Sequence, residues 1–490
     1  MSLRSWPGWV LVAASGAFFF SVPVADNDLW GHVYFGREIL SSGHLPAVNQ
    51  YSYTATSYPW INHEILAECA FAATYQRLGA AGLLLLKLVL GLATLGVMAR
   101  TARRRTSDPV AAMLALVLAA SLMSYGYLVR PQIFSFLALA IVWDWLDAYT
   151  RGRARPALWL LPIVFAAWSN IHGGVMAGIA VLLAFSALCW WARSGKARPW
   201  DLAAVAAASV CALLLNPYGW KLPAFLLGDL LRGREISEWA PILVFDLSNL
   251  RFKLAVALCA IGALRSTRRE LPELTIIGLV AFTTFLHERH LPIFAILATP
   301  LIAATAGGLA ESIHVRAREL SRGAAMTLAA GILAIAALQA SAAWRLSRDL
   351  GFQIYVSRDQ FPVDAVRYLE RAGLSGNLAL SFDWGEYAIW HLYPSCRVSI
   401  DGRYTTAYPP GVIERSWRFM TGAPGWDEIL ADASIALVDR RHGVAGKLAA
   451  DRGWRQVHAD PTALVFVREG TALREPSRAL EPPIGGSTFP

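Results

Sequence analysis

Apolar runs of helical length recur along this chain from near its start to about position 344, and they decide its class before any motif does. We place them at 8–25, 80–99, 109–128, 131–149, 157–171, 175–192, 201–215, 252–264, 271–286, 291–306 and 324–344. A hydrocarbon core about 30 Å thick takes about 20 residues of α-helix, and only helices or closed barrels satisfy their backbone there. Runs of this length exclude a barrel. With 56% hydrophobic and 16% charged residues and a mean hydropathy of +0.42, most of the 490 residues belong in lipid. The expected fold is an α-helical polytopic membrane protein of about eleven transmembrane helices with a small C-terminal extracytoplasmic α/β domain.

Orientation follows from the basic connections. Arg4, Arg100 with Arg103, Arg104 and Arg105, Arg151 with Arg153 and Arg155, Arg193 with Lys196 and Arg198, Arg265 with Arg268 and Arg269, and Arg316 with Arg318 and Arg322 fall at every second connection. The positive-inside rule then puts the N-terminus in the cytoplasm and, for an odd number of spans, the C-terminal part outside a bacterial plasma membrane. The net charge of +9 is mostly topology, and the dispersed arginines form no aromatic-interleaved stripe, so nucleic acid is not an expected partner. Five cysteines, Cys69, Cys189, Cys211, Cys259 and Cys396, have neither metal-ligand nor disulfide spacing, and the three within spans, Cys189, Cys211 and Cys259, read as packing residues. The opening run resembles a signal peptide, but its removal would invert the remaining topology, so it is read as a retained anchor helix.

The information lies in the segments expected outside. Residues 26–79 form a long first loop. In it Asp28 to Leu40 reads as an amphipathic helix suited to the headgroup layer, with Asp28 and His32 four apart on one face. A second helix from Asn62 to Leu78 offers His63, Glu64 and Glu68. Further polar junctions sit at the same expected depth: Arg130 before Pro131, Asn170 and His172 before Gly173-Gly174, Asn216 before Pro217, Glu238 beside Trp239, and His287-Glu288-Arg289-His290. Polar groups at membrane depth are costly unless they face a cavity or one another, so their shared level implies a chamber.

A hydroxyl that displaces a phosphate from a sugar carbon needs one carboxylate to take its proton, while cations hold the charge on the leaving phosphate. Asp28 or Asp26 is the candidate base. Arg130, Arg289, His290 and Lys87 are candidates for a lipid phosphate, with Lys87 expected to snorkel outward from its span. His63, Glu64, Asn170, His172 and Glu238 complete the expected substrate-binding set. Each has a blander alternative: a helix cap for either aspartate, headgroup contacts for the bases, and a helix-turn contact for His172.

At these residues the chain resembles the GT-C superfamily of polytopic glycosyltransferases. The resemblance rests on Asp26-Asn27-Asp28-Leu29-Trp30-Gly31-His32 after the first span, the many-span body and the C-terminal soluble domain. Trp60-Ile61-Asn62-His63-Glu64, Arg130-Pro131-Gln132, Trp168 to Gly174, Asn216-Pro217-Tyr218-Gly219 and Ile400-Asp401-Gly402-Arg403 look like motifs of an uncharacterised bacterial branch, over the chain to about Glu469. The resemblance implies a polyprenyl-phosphate sugar donor, a glycan, lipid or protein acceptor, membrane lipids as surroundings, and a catalytic carboxylate in the first loop. Many members carry adjacent Asp-Glu there, whereas Asn27 separates two aspartates here, so the base is assigned between them: Asp28, with His32 to orient it, and Asp26 as supporting group, cap or metal ligand. Some relatives use a divalent cation (Mg or Mn) and others do not, which leaves the metal open.

Residues 1–348 are expected to form the membrane domain, 349–470 the α/β domain, and 471–490 a disordered tail rich in Pro, Gly and Ser. In the α/β domain, helices are expected at 362–372, 386–392, 426–431 and 444–452. Strands are expected at 378–382, 398–400 and 435–438, with a hairpin over 456–467. Asp383 to Tyr387 and Asp401 to Tyr404 are placed on loops, either as a carbohydrate surface or as turn chemistry. A flippase of lipid-linked glycans and a non-catalytic assembly protein are the competing functions. The first calls for broken helices and internal repeats, and the sequence contains no clear repeat.

Overall fold

The structure is a computed structural model that describes residues 6–152, 155–192, 198–230, 240–314, 322–471 and 487–490. The chain divides into two compact units, Met1–Val22 with Leu84–Gly351, and Pro23–Leu83 with Phe352–Pro490.

The first unit is helical among its described residues. Among the described residues five helices are long and apolar enough to cross a membrane: Ile65–Arg105, which breaks at Gly79 (φ 63°) and belongs to this unit from Leu84 onward, and Gln132–Thr150, Val175–Ala192, Glu288–Ser312 and Ala329–Asp349. Shorter apolar helices cover Trp6–Phe20, Pro109–Met123, Pro199–Ala212 and Leu271–Leu286. The run expected as one span at 157–171 is split into Arg155–Leu158 and Leu161–Trp168. Pro162 explains the break, because it lacks an amide donor and its ring clashes with the carbonyl four residues back. Asp108 starts Pro109–Met123 by accepting from the amides of Val110 and Ala111 at 2.8 and 3.3 Å. Trp6–Phe20 packs against Pro109–Met123 and Arg322–Asp349, and Leu291–His314 packs against Pro109–Met123.

The basic end of this unit is more than a topology signal. Arg104 reaches Asp147 at 3.0 Å and also binds Asp144. Arg105 reaches Asp147 at 2.7 Å and also binds Glu273, and Arg100 binds Asp144. Asp144, Asp147 and Glu273 are buried, so each needs these partners to offset its desolvation.

The second unit joins the first loop to the C-terminal segment. Five strands, β2 (Gly376–Leu380), β3 (Cys396–Val398), β4 (Ile435–Asp439), β5 (Trp454–Ala459) and β6 (Ala463–Arg468), form a sheet ordered β3-β2-β4-β6-β5. β2 runs parallel to β3 and β4, and the β5–β6 hairpin closes the sheet antiparallel to β4. A separate pair, β1 (Tyr355–Val356) with β7 (Ser487–Thr488), is antiparallel, and Val24 bridges to Tyr355 beside it. The end of the segment read as a disordered tail is therefore ordered. Phe489 is buried and its ring packs against Trp30, Tyr75 and Trp390. Residues 472–486 lie outside those described.

β4, the β5–β6 hairpin and most helices of this unit fall where the sequence pattern places them, β2 and β3 start two residues earlier than expected, and β1 and β7 were not expected. Two helices differ. The expected helix at 426–431 is a short 3-10 turn, Glu428–Leu430, and a full helix at Pro410–Thr421 was not expected. Pro409-Pro410-Gly411 reads locally as a turn, yet Val412, Ile413, Ser416, Phe419 and Met420 lie on one buried helical face.

The helix Leu29–Ser42 does not offer its apolar face to headgroups. Protein covers it: Trp30 packs on Phe361 and Tyr387, and Phe35 packs on Tyr51 and Trp60. Burial of each such ring contributes on the order of 2 kcal/mol, so this face is committed to the fold.

Candidate active site

The site grows from the C-terminal ends of β2 and β3, where parallel sheets present their loops to ligands. Past β2 the chain turns through Phe382–Trp384 into the helix Gly385–Leu392, whose second residue is Glu386. Past β3 it reaches Asp401. The Glu386 carboxyl arrives at the start of Leu29–Ser42, the helix that follows Asp28, and Asp401 stands near enough to act on its charge.

That helix start is capped in an unusual way. Asp28 occupies the N-cap position, yet its side chain makes no capping hydrogen bond. Asp26 Oδ1 accepts from the Asp28 amide at 3.0 Å, and Glu386 Oε2 accepts from the Gly31 amide at 3.1 Å. The cap alternative therefore fits Asp26 and not Asp28. Capping is carried by Asp26 and Glu386, and the Asp28 carboxylate is not spent on it.

Glycines set the spacing. A Cβ on Gly31 would stand 2.1 Å from Glu386 Oε2, and one on Gly402 would stand 2.4 Å from Asp28 Oδ1 and 2.8 Å from Glu386 Oε1. The carboxyl oxygens of Asp28 and Glu386 thus share one face of Gly402. Gly385 is equally constrained, its Cβ position lying 2.3 Å from the Ile400 carbonyl.

Electrostatics distinguish the two acids. Glu386 is 4% exposed. Burial, then the neighbouring charges of Asp28 and Asp401, push its carboxyl well above the usual range against the pull of Arg403. Asp401 is fully buried and gripped at both oxygens by Arg403, Nε to Oδ1 at 2.8 Å and Nη2 to Oδ2 at 2.7 Å. Arg403 Nη2 also donates to Asn49 Oδ1 at 3.0 Å, and Tyr408 donates to Asp401. The Arg403 guanidinium carbon stands 4.6–4.8 Å from the ring centres of Trp60, Phe35 and Tyr51. Burial opposes its charge, but Asp401 outweighs burial and keeps it protonated.

The second half of the first loop closes the cluster. Asn62 Oδ1 accepts from the Glu64 amide at 2.9 Å, and its Nδ2 donates to Glu68 Oε2 at 2.6 Å. His32 Nδ1 and His63 Nε2 each lie 3.6 Å from a Glu64 oxygen. His32, Glu64 and Glu68 offer one ligand atom each within 4.8 Å of one another, a donor set of one imidazole and two carboxylates.

Of the residues nominated from sequence, Asp26, Asp28, His32, His63 and Glu64 belong to this unit and gather at this end of the helix. Glu68, offered by the same loop segment but not assigned a site role, joins them, as do Glu386, Asp401 and Arg403, which were read only as members of loop motifs. The acidic loop motifs were visible, but Glu386, Asp401 and Trp384 are buried, which overturns their reading as a carbohydrate surface; Asp383 alone of the first motif is exposed.

The other nominated residues lie in the helical unit. Lys87 does not snorkel: it is 1% exposed and donates from Nζ to the Val22 carbonyl at 2.5 Å. The Arg130 carbonyl accepts from the Ile133 amide at the start of Gln132–Thr150. Asn170 Nδ2 ties two helix ends by donating to the carbonyls of Ala166 and Leu215, both at 2.8 Å. His172 Nδ1 accepts from the Gly174 amide at 3.0 Å and from Ser135 Oγ at 2.8 Å, so the turn contact considered for it is present. Arg289 and His290 sit in a 3-10 turn where His290 Nδ1 donates to the Thr283 carbonyl at 3.1 Å. Glu238 lies outside the described residues.

Several solved structures share this fold. The archaeal oligosaccharyltransferase AglB from Archaeoglobus fulgidus, in complex with an inhibitory peptide and a dolichol-phosphate, aligns with a TM-score of 0.58 and 13% identity over 89% of this chain and 69% of its own. The oligosaccharyltransferase of the same organism in complex with Zn and sulfate gives 0.54 and 14% over 94% of this chain and 73% of its own. The arabinofuranosyltransferase AftD from Mycobacteria gives 0.54 and 18% over 94% of this chain and 41% of its own. All are membrane glycosyltransferases of the GT-C superfamily. No protein-family model and no curated protein matches the sequence. At these identities the likeness is one of fold.

Proposed function

We propose that this chain, which folds as the GT-C membrane glycosyltransferases do, is itself a glycosyltransferase that moves a sugar from a polyprenyl-phosphate donor to a hydroxyl-bearing acceptor outside the cytoplasm. The observation that carries this is Asp28: a carboxylate at a helix start whose capping is done by Asp26 and Glu386, set beside a second acid of raised proton affinity. Asp28 takes the proton of the acceptor hydroxyl, whose oxygen forms a bond to the anomeric carbon. The bond from that carbon to the phosphate oxygen breaks, and polyprenyl phosphate leaves with the electron pair. The donor class is supported by AglB, whose structure is a complex with a dolichol-phosphate and an inhibitory peptide.

A divalent cation fits the residues present. His32, Glu64 and Glu68 would hold it, and their mixed nitrogen and oxygen donors suit Zn or Mn better than Mg. When bound, it would draw negative charge from the phosphate. We read the four shorter apolar helices, together with Leu161–Trp168 and Leu250–Arg265, as crossing the membrane with the five long ones, which gives the about eleven spans expected by length. The N-terminus is then inside a bacterial plasma membrane, and the sheet-bearing unit and site face outward.

The test is turnover. The purified chain in vesicles, given a panel of undecaprenyl-phosphate sugars radiolabelled in the sugar together with extracted envelope lipids and glycans, should release undecaprenyl phosphate as label enters the acceptor fraction. Movement of intact donor across the bilayer without cleavage would replace a transferase with a transporter.

A further inference from the structure

Glu386 is not explained by the chemistry above, and it is expensive to keep where it is. A carboxyl group buried to 4% exposure loses its hydration, and two further acids, Asp28 and Asp401, stand against it. A residue serving only to fill the space would be apolar. One serving only to cap the Leu29–Ser42 helix could do so from solvent, as Asp108 does for Pro109–Met123. The surroundings are instead cut to admit it. Gly31 and Gly402 lack the Cβ atoms that would stand 2.1 Å from Oε2 and 2.8 Å from Oε1, and the missing Cβ of Gly402 also makes room for Asp28 Oδ1 at 2.4 Å. One oxygen, Oε2, is engaged by the Gly31 amide, and the other lies on the Gly402 face shared with Asp28.

We propose that Glu386 is a positioning residue for Asp28: fixed at Oε2 by the Gly31 amide, it offers a hydroxyl hydrogen from Oε1 to the Asp28 carboxylate and holds that carboxylate in the orientation from which it takes the acceptor's proton. This rests on the assignment of Asp28 as base. The sheet-bearing segment thereby contributes a side chain to the reaction as well as a scaffold. Four charged or titratable groups act on Glu386 from three segments. Asp28 comes from the start of the Leu29–Ser42 helix, Asp401 and Arg403 from the segment after β3, and Glu64 from the second half of the loop. Three of them are acids that favour the protonated, donating form of Glu386, while Arg403 is already gripped by Asp401. A protonated carboxyl is the only form of Glu386 that can donate.

Two substitutions separate positioning from packing. Glu386→Gln keeps the shape, an acceptor for the Gly31 amide and an N–H donor for Asp28. Glu386→Leu keeps the volume and loses both polar functions. With full-length protein and the radiolabelled undecaprenyl-phosphate sugar that wild type turns over, Glu386→Gln should stay within about threefold of wild type. Glu386→Leu, with its melting temperature checked, should lose about a hundredfold in kcat with little change in KM for the donor. Full activity in a folded Glu386→Leu chain overturns the inference, and so does a Gln variant as damaged as Leu. If Asp28→Asn is dead while Glu386→Leu is active, only this inference falls; if Asp28→Asn is active, the assignment of the base falls and takes this with it. Independently of turnover, a map of Glu386→Leu should show the Asp28 carboxylate turned from its wild-type position, and an unmoved Asp28 overturns the inference.

Discussion

Arg403 donates to the side-chain oxygen of Asn49 at 3.0 Å across 354 residues of sequence while holding Asp401 at both carboxylate oxygens. Loop and C-terminal segment are thus one folding unit, locked by a buried cation among Phe35, Tyr51 and Trp60. Arg403→Leu strands the Asp401 carboxylate in the interior and should cost about 3–5 kcal/mol. Arg403→Lys should also destabilise, because an ammonium cannot reproduce the two-point grip. Thermal unfolding of the purified chain checks this, and the double variant Asp401→Leu with Arg403→Leu should be more stable than Arg403→Leu alone.

Gly31 offers a prediction of reversed sign. Within a helix, Gly→Ala normally stabilises by about 0.5–1 kcal/mol. Here the added Cβ falls 2.1 Å from Glu386 Oε2, so Gly31→Ala should lower the melting temperature and reduce turnover. A gain in melting temperature with turnover intact would show that the close approach of Gly31 and Glu386 does not exist.

Glu386 also sets a pH dependence. Its carboxyl is raised by burial and by Asp28 and Asp401, so between the usual carboxylate range and its own raised value the folded chain holds a proton that the unfolded chain has lost. Stability from this group is fully present below about pH 4.3, the unperturbed value for glutamate. It is lost as pH rises through the folded-state value. Unfolding midpoints measured as pH rises from about 4.3 should fall more steeply in wild type than in Glu386→Gln. Equal slopes would contradict the buried acid.

The imidazole and carboxylate donors of the loop predict a metal response. Isothermal titration of the full chain with Zn²⁺ or Mn²⁺ should show binding that Glu64→Ala weakens about tenfold or more, since removing one of three protein ligands leaves an incomplete site. Unchanged affinity in that variant would place any bound cation elsewhere.

Much of the fold was legible. Apolar length marked the helical runs, and alternation marked β4 and the β5–β6 hairpin. Pro162 broke a run of adequate hydropathy because missing donors outweigh composition locally, and Pro410 hid a helix because proline suits both a turn and a first helical position. The loop half of the site was legible because Asp26, Asp28, His32, His63 and Glu64 stand within one segment of sequence. Glu386 and Arg403 were not. Their partners, Gly31 and Asn49, are 355 and 354 residues away, and local pattern carries no information about which distant segment buries a charge. Gly402, visible in the sequence only as part of the Ile400-Asp401-Gly402-Arg403 motif, is required by the close approach of Asp28 and Glu386.

The central claim is that Asp28 takes the proton of the acceptor, and the most direct measurement compares the rate of sugar transfer from undecaprenyl phosphate by wild type and Asp28→Asn, each shown to be folded. The asparagine, of equal size but without basicity, should transfer at least about a hundredfold more slowly, while Asp26→Asn retains measurable activity. Transfer at the wild-type rate by Asp28→Asn would contradict the account.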